Sequence, residues 1–299
     1  MDAVSLLQAG SAFLLNVGFA WLVGSWCARY WMRYSGVHHG DFEPQLRLLD
    51  LVATGLGALA SVAALLAATA VMGGVALREA SPMFWMMLTS TRYGNAGAVT
   101  IVAMLVLSLI RWTGVNNRAG EVGAALALML FAVTRASMGH AGEAGLLSAP
   151  MAAEAVHYAA IGLWTGAVLT SAWFALNDGR IGSGNLGVTD RYLDLMSRTA
   201  MAAVAAIVVT GVYNGWLRVG AAEHLFHTFY GRILLVKVAL VLVAIALGGY
   251  NKYFGLPAAS RSTAGVRTAR TVLRIESGVL LATLLAAAIL TAQQPPAAM

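Results

Sequence analysis

Charge is the first thing this chain lacks. Only 11% of its 299 residues are Asp, Glu, Lys or Arg, against roughly 25% in a soluble domain. Hydrophobic residues make up 59% of the chain and mean hydropathy is +0.74, so a soluble globular domain is excluded and an integral membrane protein is indicated. Cysteine is nearly absent. The single Cys27 excludes a disulfide framework within the chain and a thiolate metal cluster. The N-terminus, MDAVSLLQAG, has no basic n-region, and its apolar run continues past signal-peptide length, so it reads as a retained first span. Barrel-type alternation is missing, which leaves helices. Ser-His-Asp ordering, paired catalytic carboxylates and a phosphate-cradling Gly loop are also missing, so the chain reads as a non-enzyme. The formal net charge of +6 does not signal nucleic acid: the cations are mostly Arg at the ends of apolar runs, which sets topology, and no nucleic-acid motif is present.

What is there is apolar and periodic in length. A bilayer core needs about 20 mostly apolar residues per helix, and about eight runs qualify, at roughly 4–30, 48–77, 94–112, 120–139, 152–176, 193–218, 230–250 and 269–292. The expected fold is all-α, a polytopic membrane protein. Arg29, Arg33, Arg47, Arg111, Arg118, Arg180, Arg191, Arg198, Lys252, Arg261, Arg267, Arg270 and Arg274 fall in the odd-numbered loops. The positive-inside rule places those loops in the cytoplasm and both termini on the outer side. Gly162 and Gly166 form a small-xxx-small pair in the fifth run, which reads as helix packing.

Three short words recur in the same order. Arg47-Leu-Leu-Asp-Leu51 echoes Arg191-Tyr-Leu-Asp-Leu195, Thr91-Arg-Tyr-Gly94 echoes Thr228-Phe-Tyr-Gly231, and Glu121-Val-Gly123 echoes Glu276-Ser-Gly278. The chain divides on this basis into two four-helix halves, 1–139 and 140–299. Four spans per half make the repeats parallel, related by an axis along the membrane normal.

The residues that carry chemistry gather on the outer side. His140, His157, His224 and His227 fall there, whereas His38 and His39 lie in a cytoplasmic loop. Neutral imidazole is the commonest side-chain metal ligand. His140 ends the fourth run and His157 begins the fifth, and His224 and His227, three apart, share a face if helical. Each alone also reads as a loop or interface histidine. Met138 and Met151 flank His140, and Met83, Met86 and Met87 form an outer cluster. Thioether sulfur prefers Cu(I), although methionine also fills gaps and PMFWMM also reads as an interfacial belt. Arg135 lies five residues before His140.

Lys237 lies about 10 Å along the seventh helix from Tyr230 and stands open between an ion pair and a pathway gate. Asn214 and Asn251 offer polar groups or interhelical hydrogen bonds. Asp50 and Asp194 read as helix caps, with Arg198 pairing to Asp194 at i+4, and Glu276 reads as the cytoplasmic start of the eighth span.

At these residues the sequence resembles a known family. Gly139-His140-Ala141, His157-Tyr-Ala-Ala-Ile-Gly-Leu-Trp164-Thr-Gly166, Ser197-Arg198, Thr210-Gly211-Val-Tyr-Asn214, Thr228-Phe-Tyr-Gly-Arg232, Lys237, Tyr250-Asn251 and Glu276 look like the CopD copper-resistance membrane protein family. The match is dense from Gly139 to about Pro296. Ala167 stands where the family pattern has a second glycine.

The resemblance implies a bacterial inner-membrane protein, so that the outer side is the periplasm. It further implies copper ion as the bound species, moved from periplasm to cytoplasm, and a small periplasmic copper-binding partner of the CopC kind. His140 and His157 carry over as metal ligands, with Met138, Met151, His224 and His227 beside them. Trp164, Lys237, Tyr230, Asn214 and Glu276 shape the path. A b-type haem protein with haem held between His140 and His157 and an accessory membrane protein without transport remain the alternatives. The first half has no counterpart of His157, since its first span reads NVGFAWLVGSW, so the chemistry is expected to concentrate in the second half.

Overall fold

A computed structural model of the chain describes residues 2–36, 42–115, 117–176, 186–219 and 223–293. His38, His39 and Arg180 lie outside the described residues. Eight helices among those described are long and apolar enough to cross a bilayer, and the chain is a multi-pass membrane protein. The long helices are α1 (Ala3–Ser35), α2 (Glu43–Gly73), α4 (Arg92–Thr113), α5 (Arg118–Ser137), α6 (Ala149–Thr170), α7 (Leu186–Val219), α9 (Phe229–Tyr250) and α11 (Thr263–Thr291). Short helices α3 (Phe84–Ser90) and α8 (Glu223–His227) precede α4 and α9, and α10 (Leu256–Ala259) follows α9. Most long helices extend beyond the apolar runs that reveal them. Their ends carry charged residues that snorkel or pair, which a hydropathy window discards.

Gln8 near the start of α1 donates to the Thr291 carbonyl at the end of α11 at 3.3 Å, so these two helix ends share one face of the bundle, the terminal face. Arg29, Arg33 and Arg111, toward the far ends of α1 and α4, belong to the opposite, arginine-rich face. The bundle is built around α1, which packs against α2, α6, α11, α7 and α5. Its tightest seam is with α6. A methyl group on Gly24 would overlap the Gly166 backbone, one on Gly166 would overlap the Ala20 carbonyl, and one on Gly162 would enter the Phe19 ring. The small-xxx-small pair therefore packs, and it does so by letting two backbones touch. Tyr158 extends the seam by donating to Asn16 Oδ1 at 2.8 Å, and Phe19 stacks on Phe131 of α5 at 5.0 Å.

On the arginine-rich face the first four long helices are tied by buried ions. Asp50 is fully buried; it accepts from Arg29 Nη1 at 2.7 Å and Trp21 Nε1 at 3.0 Å, and forms an ion pair with the Arg111 guanidinium, Nε lying 3.1 Å away. Arg29 also pairs with Glu43, and Arg33 with Glu121. Asp50 is thus not a helix cap. Pro44 starts α2 one turn and more earlier, and two guanidinium groups need a central anion. Asp194 lies equally far inside α7 and is exposed, pairing with Arg198 at 3.0 Å as the i+4 spacing predicts.

The two gaps between neighbouring crossings differ. α2 packs directly on α4, with Gly97 against Leu65 and Gly57 against Met104. α7 and α9 have no comparable contact; α9 rests on α11 and is the least buried span. A cleft between α7 and α9 results, backed by α6 and α11.

Candidate functional site

One face of α6 lines this cleft. Glu154, His157 and Trp164 stand at i, i+3 and i+10, which a helix places in one stripe. From Glu154 to Trp164 the stripe descends about 15 Å at 1.5 Å per residue. Across the cleft, α7 presents Thr210, Asn214 and Arg218 at a strict four-residue spacing. These two stripes and α9 form a polar cluster near the terminal face.

His157 is half-buried in this cluster. Its Nδ1 lies 2.9 Å from Thr210 Oγ1. The Thr210 hydroxyl donates its own proton to the Ala206 carbonyl at 2.6 Å, so it accepts from His157. The network therefore assigns the proton to Nδ1 and leaves Nε2 as the nitrogen with a free lone pair, the form in which imidazole ligates metal. Gly211 makes room for the ring: a methyl there would stand 3.3 Å from His157 Cε1.

Glu154 Oε2 accepts from Asn214 Nδ2 at 2.8 Å and from Arg218 Nη2 at 2.6 Å. Arg218 is also hydrogen-bonded to the Tyr230 hydroxyl. Lys237 acts electrostatically on both Glu154 and His157. Two cations thus face one carboxylate, and an arriving metal ion must compete with Arg218 for Glu154 while Lys237 opposes it. Glu154 was not singled out in the sequence. The signal was there in Glu154-Ala-Val-His157, an i, i+3 carboxylate–imidazole pair at the start of an apolar helix.

At the lower end of the stripe, Trp164 Nε1 donates to Glu276 Oε1 at 3.0 Å. Trp164 and Glu276 are 3% and 2% exposed. Glu276 does not open its span as the apolar window implies. α11 begins at Thr263, which sets Glu276 near the middle of the helix. Asn214 and Asn251 are both buried; Asn251 donates to the Ala269 carbonyl at 3.5 Å.

The remaining candidates lie in separate surroundings. His140 is exposed and meets Glu143 Oε1 at 3.3 Å. Met138 Sδ lies 3.7 Å from Arg135 Nη1, and Met151 is buried in the core at 2% exposure. His224 donates from Nδ1 to the Val219 carbonyl at 2.9 Å, and His227 is exposed. The structure brings His157, Asn214, Tyr230 and Lys237 together, and Trp164 with Glu276. The hydrogen bonds of His140 and His157 do not join them. Among the described residues no group of three or more His, Cys, Asp or Glu side chains converges on one point.

Two family models match the chain. "Copper resistance protein D-like, N-terminal domain" matches residues 1–149, and "Copper resistance protein D" matches residues 188–290. The chain is 26% identical over 206 residues to the copper transport protein CutJ of Bacillus subtilis (strain 168), an alignment covering 68% of this chain but only 36% of that protein. It is 28% identical over 229 residues to copper resistance protein D of Pseudomonas syringae pv. tomato, covering 74% of this chain and 72% of that protein. The chain therefore spans about a third of the length of the first of these relatives and most of the second. No solved structure matches it.

Proposed function

The chain belongs to the copper resistance protein D family, and from that premise we propose that it is a non-enzymatic bacterial inner-membrane protein that carries copper ions from the periplasm to the cytoplasm. The terminal face is then periplasmic and the arginine-rich face cytoplasmic, as the positive-inside rule requires. The two four-helix halves, 1–139 and 140–299, take different parts: the first is scaffold and the second carries the path. His157 Nε2 and the Glu154 carboxylate receive the ion, with Asn214, Arg218, Tyr230 and Lys237 setting its access. Trp164 and Glu276 lie below them on the same route. His140, Met138, Met151, His224 and His227 act nearer the periplasmic surface, where a copper-binding protein of the CopC kind delivers the ion.

The observation that carries this reading is the α6 stripe from Glu154 and His157 to Trp164, which runs down the cleft left open between α7 and α9. An intramembrane ionisable group is expensive unless it pairs or lines a path, and this stripe collects two, Glu154 and His157, on one side of one cleft with Lys237 facing them. The test is copper uptake into sealed vesicles containing the purified chain. His157→Ala is expected to lower uptake by about tenfold, equivalent to about 1.4 kcal/mol of lost ion binding. Lys237→Met is expected to tighten binding of the ion at the outer cluster. Uptake no greater than in empty vesicles overturns transport and favours the accessory reading. A strong Soret band in the purified protein would replace copper transport with the haem reading.

A further inference from the structure

Below the outer cluster the cleft widens into a cavity of about 340 Å³ between α6, α7, α9 and α11. Its wall is mostly aliphatic, but Trp164, Met196, Met201, Asn251, Lys252 and Glu276 are among the side chains that give it chemistry. Glu276 is buried and accepts one hydrogen bond, from Trp164. It takes part in none of the ion pairs found among the described residues. On its own helix, Arg274 turns away to the Ala172 carbonyl and the Trp173 ring. Gly248 keeps the space beside the carboxylate open, since a methyl there would stand 3.2 Å from Glu276 Oε1. Asn251 is 2% exposed and its Oδ1 has no hydrogen-bond partner. Lys252, the cation of the wall, forms no ion pair with Glu276, and a buried carboxylate left unpaired beside a cavity calls for a mobile counter-ion.

The sulfur atoms decide which cation. Met196 is 3% exposed and Met201 is 43% exposed, so one thioether belongs to the interior of the cavity wall and the other to its mouth. Lys252 Nζ contacts Met201 Sδ, so a cationic group already sits on that sulfur. Thioethers favour soft ions such as Cu(I) over hard ones, and the Trp164 indole adds a face that attracts a desolvated cation. The cavity is bordered by a π-turn, Asn251–Gly255 at the end of α9. Such turns recur at functional sites. Asn251 opens this one, and its side chain stands on the cavity wall.

We propose that this cavity is a second, inner station for a soft monovalent cation, held by the thioethers of Met196 and Met201 and neutralised by the Glu276 carboxylate, with Trp164 fixing the carboxylate and Lys252 displaced from Met201 when the ion arrives. It rests on the transport reading only for the identity of the cargo. The site is separate from the outer cluster, seven residues or about 10 Å further along α6 than His157.

The test uses silver(I), a redox-silent soft monovalent ion, in chloride-free buffer with the purified full-length chain. Equilibrium dialysis counts bound silver, and X-ray absorption at the silver edge reports sulfur in its coordination shell. The double variant Met196→Leu/Met201→Leu keeps side-chain volume and folding. It is expected to lose one bound silver ion and its sulfur signal, whereas Met129→Leu, on an exposed face of α5, retains both and His157→Ala retains the sulfur signal. Glu276→Gln is expected to keep the sulfur signal but bind that ion about tenfold more weakly. Silver binding and sulfur signal unchanged in the double variant overturn the inner station, as does a wild-type chain whose bound silver shows no sulfur. Copper uptake is measured separately on the same preparations. Uptake by wild type with unchanged silver binding in the double variant leaves transport standing and removes the station; silver loss in the double variant without wild-type uptake does the reverse.

Discussion

The first four long helices form a closed set, whereas the last four leave a cleft open. In the first, α2 lies on α4 through Gly57 and Gly97, and Asp50 is clamped by Arg29, Arg111 and Trp21. In the second, α7 and α9 stand apart, and the residue in the matching word, Asp194, sits on the surface with only Arg198 beside it. The same five-letter pattern thus makes a buried ionic knot in one region and an exposed pair in the other. The difference shows where polar groups serve rigidity and where they serve access. In the first region Arg29, Arg33, Glu43, Asp50, Arg111 and Glu121 are paired among themselves. The second region leaves Glu276 without an ion pair and His157 Nε2 with its lone pair free, and both face a cleft.

Substituting the two aspartates breaks this comparison most sharply. Asp50→Asn leaves two buried guanidinium groups facing each other without their anion, and the expected loss is about 3–5 kcal/mol. Asp194→Asn removes an exposed i+4 pair, with an expected effect below about 1 kcal/mol. Thermal unfolding of the two purified variants in the same detergent measures both. Equal shifts would show that the knot is not what holds the first region together.

The seam between the regions comes next. Gly166→Ala pushes a methyl into the Ala20 carbonyl and the Gly24 backbone, so α1 and α6 must separate, at an expected cost of about 1–3 kcal/mol. Gly10→Ala, on α1 where no atom lies within 4 Å of the added methyl, is expected to be neutral or to stabilise by up to about 1 kcal/mol. A destabilised Gly10→Ala or an unaffected Gly166→Ala would show that backbone contact does not join the two regions.

Much of this was legible in the sequence, and the failures have physical causes. The eight spans were visible because lipid demands long apolar helices with internally paired backbones. His157 stood out because an imidazole inside an apolar run is conspicuous, and the structure sets it beside Thr210 in a polar cluster. Asp50 was misread because a hydropathy window starts α2 at residue 48, whereas Pro44 starts it at Glu43; a residue inside the helix then looks like its cap. Glu276 was placed too near the surface for the same reason. Glu154 was overlooked because it lies among alanines at a helix start, where a carboxylate usually serves the dipole. Met196 and Met201 were invisible because methionine in an apolar run carries no signal until tertiary packing shows what it faces.

The finest comparison is between two helix starts. Thr91 accepts from Gly94 N–H at 2.9 Å and reaches back to the Met87 carbonyl at 2.7 Å. Thr228 accepts from Gly231 N–H at 2.9 Å and reaches back to the His224 carbonyl at 2.6 Å. Each threonine thus caps a long helix and ties it to the short helix before it, and Gly94 and Gly231 each lie against that short helix's backbone. Identical local chemistry predicts identical energetics, so Thr91→Ala and Thr228→Ala are each expected to destabilise by about 1 kcal/mol. Their effects on copper uptake are expected to differ. α4 starts against the backbone of α3, whereas the Thr228 cap of α9 lies two residues before Tyr230, which holds Arg218 in the outer cluster. Loss of the Thr228 cap loosens that tyrosine and with it the Arg218–Glu154 pair, so uptake should change in Thr228→Ala and stay near wild type in Thr91→Ala. Matched stability losses with unequal uptake would place the functional asymmetry in what the second cap supports, while equal uptake losses would make it a general consequence of weakened folding.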